Sequence, residues 1–152
     1  MAILVRVTSA EPVGLHLARV AKAVSRAFDD ALAEAGGSLP TWLVLVSLKD
    51  KAHGAQRDLA RAIGIEGATL SHHLNRMEAA GLVTRRRDPT NRRVHQVELT
   101  DTGDALFHRL VATVVAFDRQ LRAGLGEEDL QQFSRVLDRL AANAALPADA
   151  RR

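Results

Sequence analysis

The chain has 152 residues, 47% of them apolar and 26% charged, which is typical of a folded globular protein large enough to bury a core. It contains no cysteine, which excludes disulfides, thiolate metal sites and redox sensing through cysteine. Its formal net charge is only +3, but residues 51–95 hold nine Lys or Arg and four Asp or Glu, a net of +5. A basic middle segment between near-neutral flanks predicts a polyanionic partner.

The opening sequence MAILVRV has an apolar run of only five residues before Arg6, which is too short for the core of a signal peptide. No apolar stretch approaches the ~18 residues that span a bilayer. The sequence therefore predicts a cytoplasmic, nucleoid-associated protein with no membrane partner.

Two helices are predicted before the basic segment. Ser9 is a candidate cap for the first, since Glu11 and Pro12 suit a first turn and apolar residues then recur at helical spacing until Gly36-Gly37. The second helix begins near Pro40 and carries the only tryptophan, Trp42.

The basic segment is predicted to form two short helices followed by a hairpin. One helix runs from about Gln56 to Ile63, and the next from about Glu66 to Ala80, with Gly81 just past its end where a left-handed residue costs least. Strand-like pieces follow at residues 82–87 and 95–99, the second with apolar and polar residues in alternation.

Two more helices complete the chain. Thr100 can cap a long one that is broken by Gly124 and Gly126. The last begins at Glu127 with three acidic residues, which suit a helix N-terminus. Its apolar residues repeat in a three-four pattern that is typical of a seam for another helix.

The stretch RRRDPTNRR, residues 85–93, places five arginines on two arms around an Asp-Pro-Thr-Asn centre that favours a turn. Their mutual repulsion is only partly screened by salt, and phosphates would relieve it while releasing counterions. A solvated surface loop is the alternative for any charge run. The neighbouring helix pair favours nucleic acid.

That pair, QRDLARAIGIEGATLSHHLNRMEAAG, fits a helix-turn-helix whose second helix is the recognition helix. At about 100° per residue the inner side holds Leu70, Leu74 and Met77, and Ser71 lies near it, where its hydroxyl can bond its own helix backbone. The outer side holds small and hydrogen-bonding residues that suit base edges in a major groove, with His73 at its border. These outer residues are Ala68, Thr69, His72 and Arg76.

Taken together, the motifs MEAAGLVTR, DPTNRR and LTDTG resemble the MarR family (multiple-antibiotic-resistance regulators), bacterial winged-helix repressors, and the likeness covers nearly the whole chain. The resemblance implies a mainly α (α+β) fold with a winged helix-turn-helix DNA-binding domain at residues 38–100. In it the recognition helix spans about 66–80 and the wing about 82–99. It also implies a helical dimerisation region formed by the N- and C-terminal helices, residues 9–37 and 101–145.

The resemblance further implies a homodimeric transcriptional regulator, a repressor rather than an activator, on a pseudo-palindromic double-stranded DNA operator. Arg92 and Arg93 match wing arginines that reach a minor groove, and Thr69 and His72 match groove-reading positions. The full predicted set of DNA contacts is Ala68, Thr69, His72, His73, Arg76, Arg85, Arg86, Arg87, Arg92 and Arg93.

Two positions depart from the family pattern. Asn91 stands where an aspartate often braces a wing arginine, so either Asp88 does this alone or the wing is looser. His72 stands where an arginine is common, and a neutral imidazole offers one donor and one acceptor instead of a bidentate fork. DNA binding is therefore expected to tighten as the pH falls from 8 to 6.

In the resembling proteins a small aromatic or anionic effector binds between the dimer helices and the DNA-binding lobe. The candidates to line such a pocket are His16, Trp42, Val46 and Phe107, and the alternative for Trp42 and Phe107 is an ordinary place in the core.

No metal or cofactor is predicted, although a zinc-responsive regulator using His16 or His108 is an alternative. The adjacent His72 and His73 lie about 100° apart on a helix and do not suit one ion. No enzyme is predicted, because no GxSxG, HExxH, P-loop or GxGxxG stands in a fitting context. A second alternative, a winged-helix protein-interaction module without DNA binding, would have a neutral recognition face and wing, and here both are polar to basic.

Overall fold

The computed structural model describes residues 11–50, 54–90 and 95–145. These form helices α1 (Val13–Glu34), α2 (Leu39–Asp50), α3 (Gln56–Ile63), α4 (Gly67–Ala79), α5 (Asp101–Leu121) and α6 (Glu127–Ala144). Three short strands lie among them: β1 (Gly54–Ala55), β2 (Val83–Arg87) and β3 (His95–Leu99). The mainly helical winged helix-turn-helix predicted from the sequence is confirmed. Ser9, the predicted cap of α1, lies outside the described residues, and α1 follows Pro12.

The chain divides into two compact units, of which the first ends at Phe117 and the second begins at Asp118, within α5. The first unit contains the core. Its buried apolar side chains come from five helices and from the ribbon, which is formed by β2 and β3: Leu32, Val44, Leu45, Leu48, Leu59, Leu70, Leu74, Met77, Val83, Val97, Leu106 and Leu110. Leu70, Leu74 and Met77 are the inner side predicted for α4, which is thereby confirmed.

The second unit is mainly α6, which has no buried residue. Its first turn is acidic, as predicted, and the Asp129 carboxylate accepts a hydrogen bond of 2.8 Å from the backbone N–H of Gly126. This bond occupies one of the backbone donors that a helix N-terminus leaves unpaired.

The sheet is antiparallel with strand order β1-β3-β2. In the ribbon Val83 pairs with Leu99, Arg85 with Val97 and Arg87 with His95. The sequence predicts only the two ribbon strands. β1 is the addition: two residues, Gly54 and Ala55, pair with β3, and a piece this short shows no alternation along the sequence.

The base of the ribbon is tied to α5 at Thr100. Its hydroxyl accepts from the backbone N–H of Gly103 at 3.0 Å, which confirms the predicted cap, and donates to the carbonyl of Gly81 at 2.6 Å. Gly81 has the left-handed backbone predicted for it, with φ of 70°. The end of α4, the start of β2 and the start of α5 therefore meet at one point.

Within the described ranges no single helix has the length and apolar character to cross a membrane. Helices α1 and α2 meet those criteria only as a pair, and they are bent by 73° at the break between them. Three residues of α2, Val44, Leu45 and Leu48, are buried in the core of the first unit.

Candidate nucleic-acid interface

Helix α4 presents a polar face to solvent. Ala68, Thr69, His72 and Arg76, the predicted outer residues, are exposed, while His73 at the predicted border is half-buried. The rings of His72 and His73 lie 5.9 Å apart in an edge arrangement. The face is therefore open to a partner along most of the helix.

Two consecutive side-chain hydrogen bonds hold the angle between α3 and α4. The Gln56 amide donates to the Ser71 hydroxyl at 2.6 Å, and Ser71 donates to the carbonyl of Gly67 at 2.9 Å. The predicted bond from Ser71 to its own helix backbone is thus confirmed, and the same hydroxyl also joins the two helices. Gly64, with φ of 75°, makes the turn after α3.

A cavity of about 230 Å³ lies beside the second half of α4. The turn between α1 and α2 forms its other wall, where the hydroxyls of Ser38 and Thr41 are 2.9 Å apart. His73 and Arg76 line the α4 side. Two of the predicted DNA-contacting residues therefore lie at the edge of a polar recess.

The ribbon arginines are not equivalent. The Arg85 guanidinium donates to the Glu78 carboxylate at 2.6 and 3.0 Å and to the Asn75 side-chain oxygen at 2.6 Å. Arg86 is 72% exposed and lies 3.8 Å from Glu98, and Arg87 is exposed. Arg92 and Arg93, the predicted minor-groove arginines, lie outside the described residues.

The turn at the ribbon tip is organised by Asp88. Its carboxylate accepts from the Thr90 backbone N–H at 2.7 Å and from the Thr90 hydroxyl at 2.6 Å. The Gln96 amide donates to its other oxygen at 3.2 Å. Asp88 thus connects the turn to β3, and Asn91 lies outside the described residues.

Among the predicted effector-pocket residues, Trp42 and Phe107 are brought together. Their half-buried rings stack with centroids 5.8 Å apart and planes at 10°, and both pack against the core. Val46 is half-buried one turn further along α2. His16 is exposed, and its described contacts are with Glu11 at 2.9 Å and Arg19 at 3.1 Å. None of the four lines the cavity beside α4.

The sequence did not predict an ion pair that lies beside the stacked rings of Trp42 and Phe107. The Lys49 ammonium lies 2.8 Å from the Asp104 carboxylate and 5.4 Å from the centre of the Phe107 ring. This ammonium, with a smaller effect from His108, holds the pKa of Asp104 below its usual value. Lys49 and Asp104 are 55 positions apart, so no local pattern could have paired them.

The described ranges hold no group of three or more His, Asp or Glu side chains arranged to bind a metal ion. His16 and His108, the candidates for a zinc site, each lie next to one carboxylate, Glu11 and Asp104 respectively.

Residues 38–95 match the model of the MarR family. CouR from Rhodococcus jostii RHA1, solved bound to p-coumaroyl-CoA, is 28% identical, with 88% of this chain and 96% of CouR covered and a TM-score of 0.71. The transcriptional repressor CouR bound to a 23-mer DNA duplex gives 27% identity, 86% and 92% coverage and a TM-score of 0.76. BpsR from Bordetella bronchiseptica, studied for regulation of its DNA binding by 6-hydroxynicotinic acid, shares the fold at 24% identity, with 88% and 96% coverage and a TM-score of 0.75. The resemblance predicted from the sequence is confirmed, since residues 38–95 match the model of the MarR family and the chain shares the fold of these solved regulators.

Proposed function

We propose that the chain is a sequence-specific, double-stranded DNA-binding transcriptional regulator. It acts as a homodimeric repressor that a small-molecule effector releases from a pseudo-palindromic operator. The observation that carries the proposal is the exposed polar face of α4, which is followed directly by a ribbon with exposed arginines. CouR, at 27–28% identity, has been solved both with a DNA duplex and with an acyl-CoA, and this supports both parts of the proposal.

On DNA, the outer face of α4 enters the major groove. The Thr69 hydroxyl or methyl, the His72 imidazole and the Arg76 guanidinium contact base edges there, while Ala68 permits close approach and His73 lies at the rim. Arg86 and Arg87 contact phosphates, which sets the register of the protein on the duplex. Arg92 and Arg93 enter the minor groove.

The dimer brings two such faces to two half-sites about one helical turn, ~10 base pairs, apart. Its interface is proposed to lie on residues 9–37 and 101–145, with residues 38–100 left to the DNA. The apolar side chains that the helices expose support this assignment: Val13, Leu15, Leu17, Val20, Val115, Leu121, Phe133 and Val136.

The effector is proposed to be a small aromatic or anionic molecule. It contacts the Trp42–Phe107 pair with Val46 and His16, and it binds more tightly to the dimer whose recognition helices do not match the half-site spacing. Because a ligand shifts an equilibrium only by its differential affinity for two states, such binding lowers the population that can bind DNA.

The decisive experiment is a salt titration of binding to a duplex that the wild-type chain selects from a random-sequence pool. The logarithm of the association constant should fall linearly with the logarithm of the salt concentration, because bound phosphates release counterions. Arg93→Ala should lower the affinity and flatten that slope by roughly one unit. A chain that selects no duplex at low salt, or that stays monomeric, would overturn the proposal.

A further inference from the structure

Arg85 faces the opposite side of the ribbon from Arg86. Strand residues alternate between the two faces, and Val83, two positions before Arg85, is 1% exposed in the core. The Arg85 side chain is 22% exposed and the Arg86 side chain 72%. One strand of like charges therefore holds arginines in two different environments.

The inward-facing guanidinium of Arg85 forms hydrogen bonds with side chains on two successive turns of α4. Asn75 and Glu78 are three residues apart and lie on one side of the helix, where the Arg85 fork reaches both at 2.6 Å. A planar guanidinium suits such a paired contact, and a lysine ammonium does not. The middle of β2 is thus joined to α4 close to the exposed residue Arg76.

We infer that Arg85 is a positioning residue, which fixes the orientation of the recognition helix α4 relative to the wing and does not itself bind DNA. The inference rests on the proposed function. Helix and wing must enter two grooves of one duplex together, so a small rotation between them costs base-specific contacts first. Phosphate contacts carry no sequence information. A rotated helix would therefore lose affinity for its selected duplex before it loses affinity for DNA of other sequences.

The Glu78 carboxylate is the partner that tests this role. The Arg85 guanidinium lowers the pKa of Glu78, so the carboxylate is charged at neutral pH. If Arg85 bound DNA, removing that charge would free the guanidinium for phosphate and tighten binding. If Arg85 positions α4, removing the Glu78 charge weakens the bond that holds the helix in place, and specific binding becomes weaker. The two roles therefore predict opposite signs for Glu78→Gln.

The experiment measures fluorescence anisotropy on the selected duplex and on a scrambled duplex, at several salt concentrations, with full-length variants. Glu78→Gln and Arg85→Lys should each lose roughly tenfold on the selected duplex, the scale of one charge-assisted contact, and less than about twofold on the scrambled one. Their salt slopes on the selected duplex should stay within about 0.3 of wild type, since no phosphate contact is lost.

Two control variants match the changes in charge. Arg86→Ala removes a cation from the outer face of the same strand, and it should weaken binding to both duplexes and flatten the salt slope by roughly 0.9. Asp58→Asn removes an exposed carboxylate from α3, and it should leave binding unchanged or tighten it. Circular dichroism at the assay temperature checks that each variant is folded.

The inference is overturned if Glu78→Gln binds the selected duplex as tightly as wild type or more tightly, or if Arg85→Lys retains full affinity. An equal loss on both duplexes would also overturn it, because a positioning role costs specificity first. A wild-type chain that selects no duplex would instead remove the proposed function, and this inference with it.

Discussion

At the scale of single residues, Gly103 shows how closely α5 approaches the ribbon. A Cβ at this position would overlap the backbone carbonyl oxygen of Leu82 and lie 2.8 Å from the Leu99 side chain. Gly103→Ala should therefore destabilise the fold by about 1–3 kcal/mol, the usual cost of overpacking. Chemical denaturation measures the change. Gly67→Ala is the matched control, since its Cβ meets open space, and equal stabilities of the two variants would contradict the prediction.

His72 gives the second prediction at this scale. Its imidazole is exposed on the face of α4 that is proposed to enter the major groove. Protonation adds a donor and a positive charge next to DNA, so affinity for the selected duplex should rise roughly fivefold from pH 8 to pH 6, as about 1 kcal/mol would give. His72→Gln should flatten that rise, whereas His108→Gln, the control on α5, should not. A wild-type affinity that does not change with pH would remove His72 from this role.

At the scale of helices and strands, elements whose ends are marked locally could be predicted to the residue. The structure has α3 at Gln56–Ile63 and the start of α6 at Glu127, as the sequence predicts, because Gly64 and an acidic first turn mark those ends. β1 could not be predicted, since its two residues are strand only through pairing with β3.

The candidate site could also be predicted only in part. Helical periodicity predicts which α4 residues are exposed, because it depends on spacing within one helix. The inward position of Arg85 also follows from a local signal, because Arg85 lies two residues after Val83 in β2 and side chains alternate between the faces of a strand. Its partners Asn75 and Glu78, and the stacking of Trp42 on Phe107, depend on how separate elements pack.

The link between α2 and α5 gives a prediction for stability against pH. Lys49 keeps the pKa of Asp104 in the folded protein below its ordinary value of 3.8. The pair therefore stabilises the fold above that value, and this contribution is lost as the pH falls through the lower, folded-state pKa. As the pH is lowered from about 5 to about 2, the Lys49→Met variant should lose less stability than the wild-type protein loses.

Urea denaturation at several pH values in this range measures the effect of Lys49→Met. High salt should shrink the difference from wild type, because the Asp104 side chain is 41% exposed and its ion pair is screened. Lys22→Met on α1 is the control for removing one lysine, and it should keep the wild-type profile. Parallel losses of stability in wild type and Lys49→Met would show that the ion pair does not contribute.

At the scale of the whole molecule, the exposed apolar residues of α6 indicate that this helix packs against a partner. The helix has no buried residue, yet it carries Phe133 at 57% and Val136 at 48% exposure. Apolar side chains at helical spacing that one chain leaves in water are typical of an interface. A second copy of the chain is the partner that the proposed function supplies.

Phe133→Glu should therefore break the dimer. A two-fold interface contains the residue twice, and each buried Phe contributes about 1.5–3 kcal/mol, so the dissociation constant should rise at least a hundredfold. Sedimentation velocity over a concentration series measures it. Gln132→Glu adds the same charge at the preceding exposed position and should leave the dimer intact. Because the proposed operator has two half-sites, Phe133→Glu should also lose affinity for the selected duplex, whereas a dimeric, fully active Phe133→Glu would place the interface elsewhere.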